Sequence, residues 1–238
     1  AGERAAKDGK HDAAIDRFQR SIAADSRNER PRIGLANALV EQKRPDEAMV
    51  AAHGALVAAP SSLEAALLLG DLYSKHGKHA EAAQLFEFAA RTHPRSFEIA
   101  LRLGKSLAVQ GRSAEAAAAL RRAVEIDPKD TFAMRMLARS LETAGKPDEA
   151  IPVWRALTAQ EPDDGVANQR LGLLLAKQGK HEEAVIPLTA ARRASPDDVE
   201  LTLALAASQE ALGRFEEAAP LLAIAARATP KDAALLQR

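Results

Sequence analysis

The sequence of 238 residues repeats one pattern at a fixed interval of 34 positions, without an insertion. Several residue types keep this interval independently, which chance does not produce. A proline and a glycine mark it most clearly, at Pro60, Pro94, Pro128, Pro162, Pro196 and Pro230 and at Gly9, Gly77, Gly111, Gly145, Gly179 and Gly213, with Lys43 in one glycine slot. A fixed period of this length predicts a stack of identical structural repeats.

Each repeat divides into two helical stretches, as residues 97–130 illustrate. Leu103, Gly104 and Leu107 share one helical face, and after Gly111 a second apolar pattern runs to Pro128. Glycine favours the left-handed conformation that ends a helix, and proline near the repeat's end stops the second helix. Pro45 and Pro147 suit the first position of a second helix. Each repeat is therefore predicted to be a helical hairpin.

The composition agrees with helices packed closely on helices. Aromatic residues make up only 3% of the chain, whereas a sheet core would need β-branched and aromatic side chains. The 33 basic and 33 acidic residues balance, so no overall charge attracts the chain to nucleic acid or anionic lipid. No apolar run is long enough to span a bilayer, and direct membrane insertion is not expected. The absence of cysteine excludes disulfides and thiolate metal sites.

The repeat resembles the tetratricopeptide repeat (TPR) family over the whole chain. The matching positions in the repeat 63–96 are Leu69, Gly70, Tyr73, Gly77, Ala82, Phe86, Ala89 and Pro94. Ala52, Leu157 and Gln209 depart from the family pattern. The resemblance implies an all-α fold, namely a right-handed α-solenoid (superhelix) of stacked 34-residue helix-turn-helix units.

The register predicts a single TPR array over residues 1–238, with a partial repeat at each end. Residues 1–28 form an incomplete first repeat, and residues 233–238 begin a further helix. The complete repeats are 29–62, 63–96, 97–130, 131–164, 165–198 and 199–232. Because solenoids need polar capping repeats, we expect the chain to be a fragment of a longer protein or a chain whose flanks have been removed. The incomplete ends also allow self-association.

The sequence indicates no catalytic, metal or cofactor site. His76, His79 and His93 have a spacing that a metal could use, but the slot of His79 is filled again in other repeats, which favours a solvated turn. Acidic pairs follow the turns, where they stabilise helix starts rather than forming a general acid and base. Nucleophile-elbow, phosphate-loop and zinc-protease motifs are missing. Trp154 and Tyr73 occupy core slots of the repeat.

The face of the first helices that points away from the core is predicted to bind a partner. Successive residues of a helix are rotated by 100°, so the residues of this face occupy the same few positions in each repeat. Stacked helices would bring these slots into one inner surface, which carries basic side chains among apolar ones. The candidate residues are Leu67, Asp71, Leu101, Arg102, Lys105, Phe132, Arg135, Met136, Arg139, Val166, Gln169, Arg170, Leu173 and Lys177.

The residue types on this surface predict the kind of partner. Arginine, aromatic and methionine side chains together are typical of interaction hot spots. We expect a non-catalytic scaffold whose concave groove holds a protein or peptide with acidic and apolar residues. TPR proteins generally act in this way. The slots that form a chaperone-binding carboxylate clamp in some family members match only in part here.

Two alternatives use the same repeat array differently. The chain could be the recruiting arm of a larger enzyme, such as a glycosyltransferase or an envelope-assembly enzyme, whose catalytic part lies outside this sequence. Nucleic-acid binding would use the basic residues, but the balanced charge and the single aromatic ring on the surface, Phe132, argue against it. The Ala- and Arg-rich sequence resembles bacterial TPR proteins; a cytoplasmic location is favoured, with the periplasm as the alternative.

Overall fold

The computed structural model describes residues 11–228, which form helices and short connections with no strand among them. The helices within this range are α1 (His11–Ala24), α2 (Arg30–Glu41), α3 (Pro45–Ala58), α4 (Leu63–Lys75), α5 (His79–Thr92), α6 (Phe97–Val109), α7 (Ser113–Ile126), α8 (Thr131–Thr143), α9 (Pro147–Gln160), α10 (Gly165–Lys177), α11 (His181–Ala194), α12 (Val199–Ala211) and α13 (Phe215–Ala228). The predicted all-α solenoid of helical hairpins is confirmed. Residues 1–10 of the expected first repeat and the expected helix start at 233–238 lie outside this range.

The helices belong to two compact units. The N-terminal unit, Ala1–Asp127, contains α1–α7, and the C-terminal unit, Pro128–Arg238, contains α8–α13. Within each unit every helix packs against the next one along the chain. First helices of adjacent repeats also contact each other: α2 with α4, α4 with α6, and α10 with α12. One continuous array over the whole chain stays a prediction.

The turn between the two helices of a repeat requires a left-handed backbone. Gly77 has a φ of 74°, and Lys43 has a φ of 58° in the equivalent slot. The amide of Lys78 donates to the carbonyl of Tyr73 at 2.8 Å, which closes the last turn of α4. Glycine adopts this conformation without steric strain because it has no Cβ, whereas other residues do so at an energetic cost. The repeated glycine of the sequence is therefore explained by this turn.

Side chains at the helix starts satisfy backbone amides that lack a partner within the helix. Asp130 Oδ1 accepts from the amide of Ala133 at 2.6 Å, and Ser96 Oγ accepts from the amide of Ile99 at 3.2 Å. Each is an N-cap of a first helix. Second helices α3 and α9 begin at Pro45 and Pro147, as predicted. The helix boundaries thus follow from local chemistry.

An ion pair strengthens the first turn of two second helices. Arg112 donates to both carboxylate oxygens of Glu115, at 2.8 and 2.6 Å, and Arg44 binds Glu47 in the same way. These side-chain hydrogen bonds lower the pKa of Glu115 and Glu47. A lowered carboxyl pKa adds stability above the pKa of the unfolded chain, and that stability is lost as pH falls through the lowered value.

The two helices of a repeat touch where a small residue faces a large one. A Cβ added at Gly104 would lie 2.4 Å from Cγ of Leu120, and one at Gly70 would lie 2.2 Å from Cζ of Phe86. Leu120 and Phe86 are completely buried. Because these separations are far below van der Waals contact, the glycine is what permits the close approach.

We expect Gly104→Ala to destabilise the chain, although alanine is the better helix former. The added methyl group collides with Leu120, at a net cost of about 1–3 kcal/mol. Urea denaturation of the single variants and of Gly104→Ala with Leu120→Ala measures the coupling. The double variant should lose less stability than the sum of the two single losses. A gain of about 1 kcal/mol for Gly104→Ala alone, the ordinary helix-propensity effect, would contradict the packing account.

Candidate functional site

The candidate residues of both units lie on first helices and reach solvent. Those of the N-terminal unit belong to α4 and α6, and those of the C-terminal unit belong to α8 and α10. Every one of them is exposed or half-buried. We call the C-terminal set the α8–α10 face; it consists of Phe132, Arg135, Met136, Arg139, Val166, Gln169, Arg170, Leu173 and Lys177.

In the N-terminal unit, the predicted basic character is largely neutralised. Arg102 Nε donates to Asp71 Oδ1 at 2.7 Å, and Arg102 Nη1 donates to the carbonyl of Glu98 at 3.4 Å. Leu67 and Leu101 are half-buried, and Lys105 is exposed. The pair Asp71–Arg102 therefore links α4 to α6, and Arg102 is not a free cation for a ligand.

The first cation of the α8–α10 face is also engaged within the chain. Arg135 Nη2 lies 2.9 Å from Glu161 Oε2 and 2.8 Å from Asp164 Oδ2. The other oxygen of Asp164 accepts from the amides of Val166 and Ala167, at the start of α10. Arg135 thus fixes α8 against the first turn of α10, and its role is structural as well as electrostatic.

A second link between α8 and α10 runs through Glu142. Its Oε1 accepts from the indole Nε1 of Trp154 at 2.7 Å, and its Oε2 lies 3.8 Å from Arg170 Nη1. Trp154 is completely buried, as its core slot predicted, whereas the side chain of Arg170 is 53% exposed. Glu142 therefore accepts the hydrogen bond of the buried indole N–H and neutralises the charge of Arg170 only in part.

Apolar side chains and two further cations complete the α8–α10 face. Phe132 is 50% exposed and Val166 is 53% exposed, while Met136 and Leu173 are half-buried. Within residues 11–228, the side chains of Arg139 and Lys177 make no hydrogen bond or ion pair. In each unit one of the predicted basic residues, Arg102 or Arg135, carries carboxylate partners that the repeat pattern did not reveal.

Across positions 11–228, no group of three His, Asp or Glu side chains is arranged to hold a metal ion. None of the helices in this range is long and apolar enough to cross a membrane.

The repeat geometry and the turn chemistry agree with a known family. Two family models described as tetratricopeptide repeat match the sequence, one over residues 5–72 and the other over residues 67–131, 135–198 and 188–233. The chain belongs to the tetratricopeptide repeat family. The boundaries of the individual repeats stay a prediction.

Several solved structures have a similar fold. YrrB, described as a TPR protein with an unusual peptide-binding site, is 27% identical with a TM-score of 0.67, over 79% of this chain and 96% of YrrB. MamA AMB-1 is 26% identical with a TM-score of 0.58, over 68% and 88%. A chain of Naa15/Naa10 bound to HypK-THB shares the fold at 18% identity and a TM-score of 0.70, over 98% of this chain and 36% of that one. A search among curated proteins gives no match.

The TPR structure also contains a groove that the sequence did not indicate. It lies between second helices α9 and α11, has a volume of about 900 Å³, and has Leu171 and Leu175 of α10 among its lining residues. Ile186 on its rim is 77% exposed, and Arg155 binds Glu183 at 2.6 Å across it. An isoleucine in an outward slot was the available signal, although it is not distinctive, because the other complete repeats hold Val50, Gln84, Ala118, Pro152 and Pro220 in that slot.

We expect Glu142→Ala to lower the free energy of unfolding by about 1–3 kcal/mol, because it leaves a buried indole N–H unsatisfied. Glu142→Gln should cost less, since its amide oxygen can still accept from Trp154. Trp154 is the only tryptophan, so its fluorescence during urea denaturation reports both variants. Equal losses for the alanine and glutamine variants would show that the hydrogen bond contributes nothing.

Proposed function

We propose that this TPR chain is a non-catalytic scaffold that binds a partner protein or peptide on the α8–α10 face. The observation that carries the proposal is the half-exposed apolar pair Phe132 and Val166, on the helices that also present the exposed cations Arg139 and Lys177. Burying such side chains against a partner is favourable at about 25 cal/mol per Å² of apolar surface. Exposed apolar groups with a polar surround are typical of protein-binding surfaces.

The charges of this face favour an acidic partner segment. Arg139 and Lys177 are exposed, and their side chains make no hydrogen bond or ion pair within residues 11–228. A partner with carboxylates beside apolar residues would satisfy both features of the surface at once. Arg135 contributes less to binding, because Glu161 and Asp164 already neutralise it.

The similar proteins support a binding role of this kind. YrrB is described as having a peptide-binding site, and its chain is covered almost completely by the similarity. The N-terminal candidates Leu67, Asp71, Leu101, Arg102 and Lys105 form a candidate binding surface of their own on α4 and α6. As the recruiting arm of a larger enzyme, the chain would use the same residues, with the enzyme's substrate as the partner.

We expect Val166→Ser with Leu173→Ser to abolish partner capture without unfolding the chain. The wild-type chain and the variant are immobilised, exposed to bacterial lysate, and the captured proteins are quantified by mass spectrometry. The variant should lose its specific proteins by about tenfold or more, as expected when anchor side chains are truncated.

The matched control replaces two exposed apolar residues of second helices, Ile186→Ser with Ile224→Ser. This control should retain the captured proteins, and circular dichroism should show equal helicity for all three chains. Loss of capture in the control but not in the α8–α10 variant would contradict the proposal and direct attention to the groove between α9 and α11.

A further inference from the structure

We propose that Arg139 and Arg170 form an anion subsite that takes a side-chain carboxylate of the bound peptide. The inference rests on the proposed function of the α8–α10 face and assigns its charged contact to two residues. Equivalent repeat positions in the two units differ in charge, and this difference leads to the proposal.

An ion pair joins two first helices of the N-terminal unit. Asp71 and Arg102 occupy facing slots on adjacent first helices, and their side chains meet at 2.7 Å. Two repeats further along the sequence, the same two slots hold Arg139 and Arg170. The carboxylate that would balance Arg170 in this register is therefore replaced by a second guanidinium group.

The remaining contacts do not restore the missing negative charge. Arg170 reaches only Glu142, at 3.8 Å, which is long for an ion pair with hydrogen-bond character. The other oxygen of Glu142 is held by Trp154. Among residues 11–228, no side-chain partner of Arg139 exists. Arg170 thus has only a distant carboxylate that is already engaged by Trp154, and Arg139 has none within residues 11–228.

The position of Arg139 on α8 is fixed from both sides. Arg135, one turn before it, is tied to Asp164 at the start of α10, and Glu142, one turn after it, is tied to Arg170. Residues three and four apart on a helix share one face. Arg139 therefore lies on the side of α8 that faces α10, between two links that hold the helices together.

A carboxylate is the ligand group that suits this arrangement. Like charges on neighbouring slots repel, and a bound anion removes that repulsion while accepting hydrogen bonds from planar guanidinium groups. Val166 and Leu173 lie on α10 four residues before and three after Arg170, so the acidic residue should have apolar neighbours. Phosphate would share the charge, but the single aromatic side chain of this face, Phe132, provides no stacking platform for successive bases.

The test uses defined peptides. Short random peptides displayed on phage are selected on the wild-type chain, and the strongest binder is synthesised with a fluorescent label. Each of its Asp and Glu residues is changed in turn to the amide. We expect one of these changes to weaken binding to the wild-type chain by about tenfold or more. The same change should hardly affect binding to Arg139→Gln, which is the result of a double-mutant cycle for a direct charge pair.

A charge-reversal variant sharpens the test. Arg139→Asp copies the Asp71–Arg102 arrangement, so the new carboxylate should occupy the subsite from within. We expect peptide affinity to fall by about tenfold or more, while the thermal midpoint stays equal or rises. Arg155→Gln, on the second helix α9 where Glu183 already pairs the cation at 2.6 Å, serves as the control and should leave affinity within about twofold, as for a neutralised surface charge.

The outcomes separate this inference from the function on which it rests. One outcome is that peptide binding requires Val166 and Leu173 while every amide change in the peptide lowers affinity for the wild-type chain and for Arg139→Gln equally. That result would overturn the subsite and leave the proposed binding face supported. If Val166→Ser with Leu173→Ser leaves binding unchanged, or if no peptide is selected, both proposals fail. A third outcome is that the chain binds labelled single-stranded DNA instead of peptide, with the same dependence on Arg139. The ligand group of the subsite would then be phosphate, and the proposal of a carboxylate would be wrong.

Discussion

The close contact between the two helices of each repeat determines the rest of this structure. A small residue on the first helix, such as Gly70 or Gly104, admits Phe86 or Leu120 of the second helix to a distance that a Cβ would forbid. In the repeat 131–164 the same slots hold Ala138 and Trp154, both fully buried. The complete repeats from 63–96 to 199–232 keep this size pairing at one period, whereas the repeat 29–62 has Ala36 and Ala52 in the two slots.

Regular stacking leaves one face of the first helices without a packing role, and the side chains of that face decide what the protein can bind. Part of the face is used internally: Asp71–Arg102 joins α4 to α6, and Arg135 and Glu142 join α8 to α10. Each exposed pair contributes little to stability, about 0–1 kcal/mol. Their larger effect is to remove cations from the surface, so that the charge available to a partner is concentrated at Arg139, Arg170 and Lys177.

The sequence predicts the fold well because the features that define it are local and repeated. The glycine of the turn, the prolines that begin α3 and α9, and the buried slot of Trp154 each follow from one residue type at one position. The ion pairs between repeats could not be predicted in this way. Whether Arg102 meets Asp71, or Arg135 meets Asp164, depends on the offset between neighbouring helices and on side-chain rotamers, which the period does not specify.

The groove between α9 and α11 was missed for a related reason. Its volume arises from the separation of two second helices, and only the outward slot of Ile186 signals it in the sequence. Two surfaces of the C-terminal unit therefore compete for the role of partner site. The α8–α10 face has apolar groups together with unbalanced charge, whereas the cations at the rim of the groove include Arg155, which Glu183 neutralises.

Site-specific photo-crosslinking decides between these surfaces most directly. A photoreactive phenylalanine analogue is placed at Gln169 on the α8–α10 face in one chain and at Ile186 beside the groove in another. Both chains are then irradiated in the presence of a captured partner. The account predicts a crosslinked product from position 169 and none from position 186. A product from position 186 alone would contradict the central claim that the first-helix face of the C-terminal unit binds the partner.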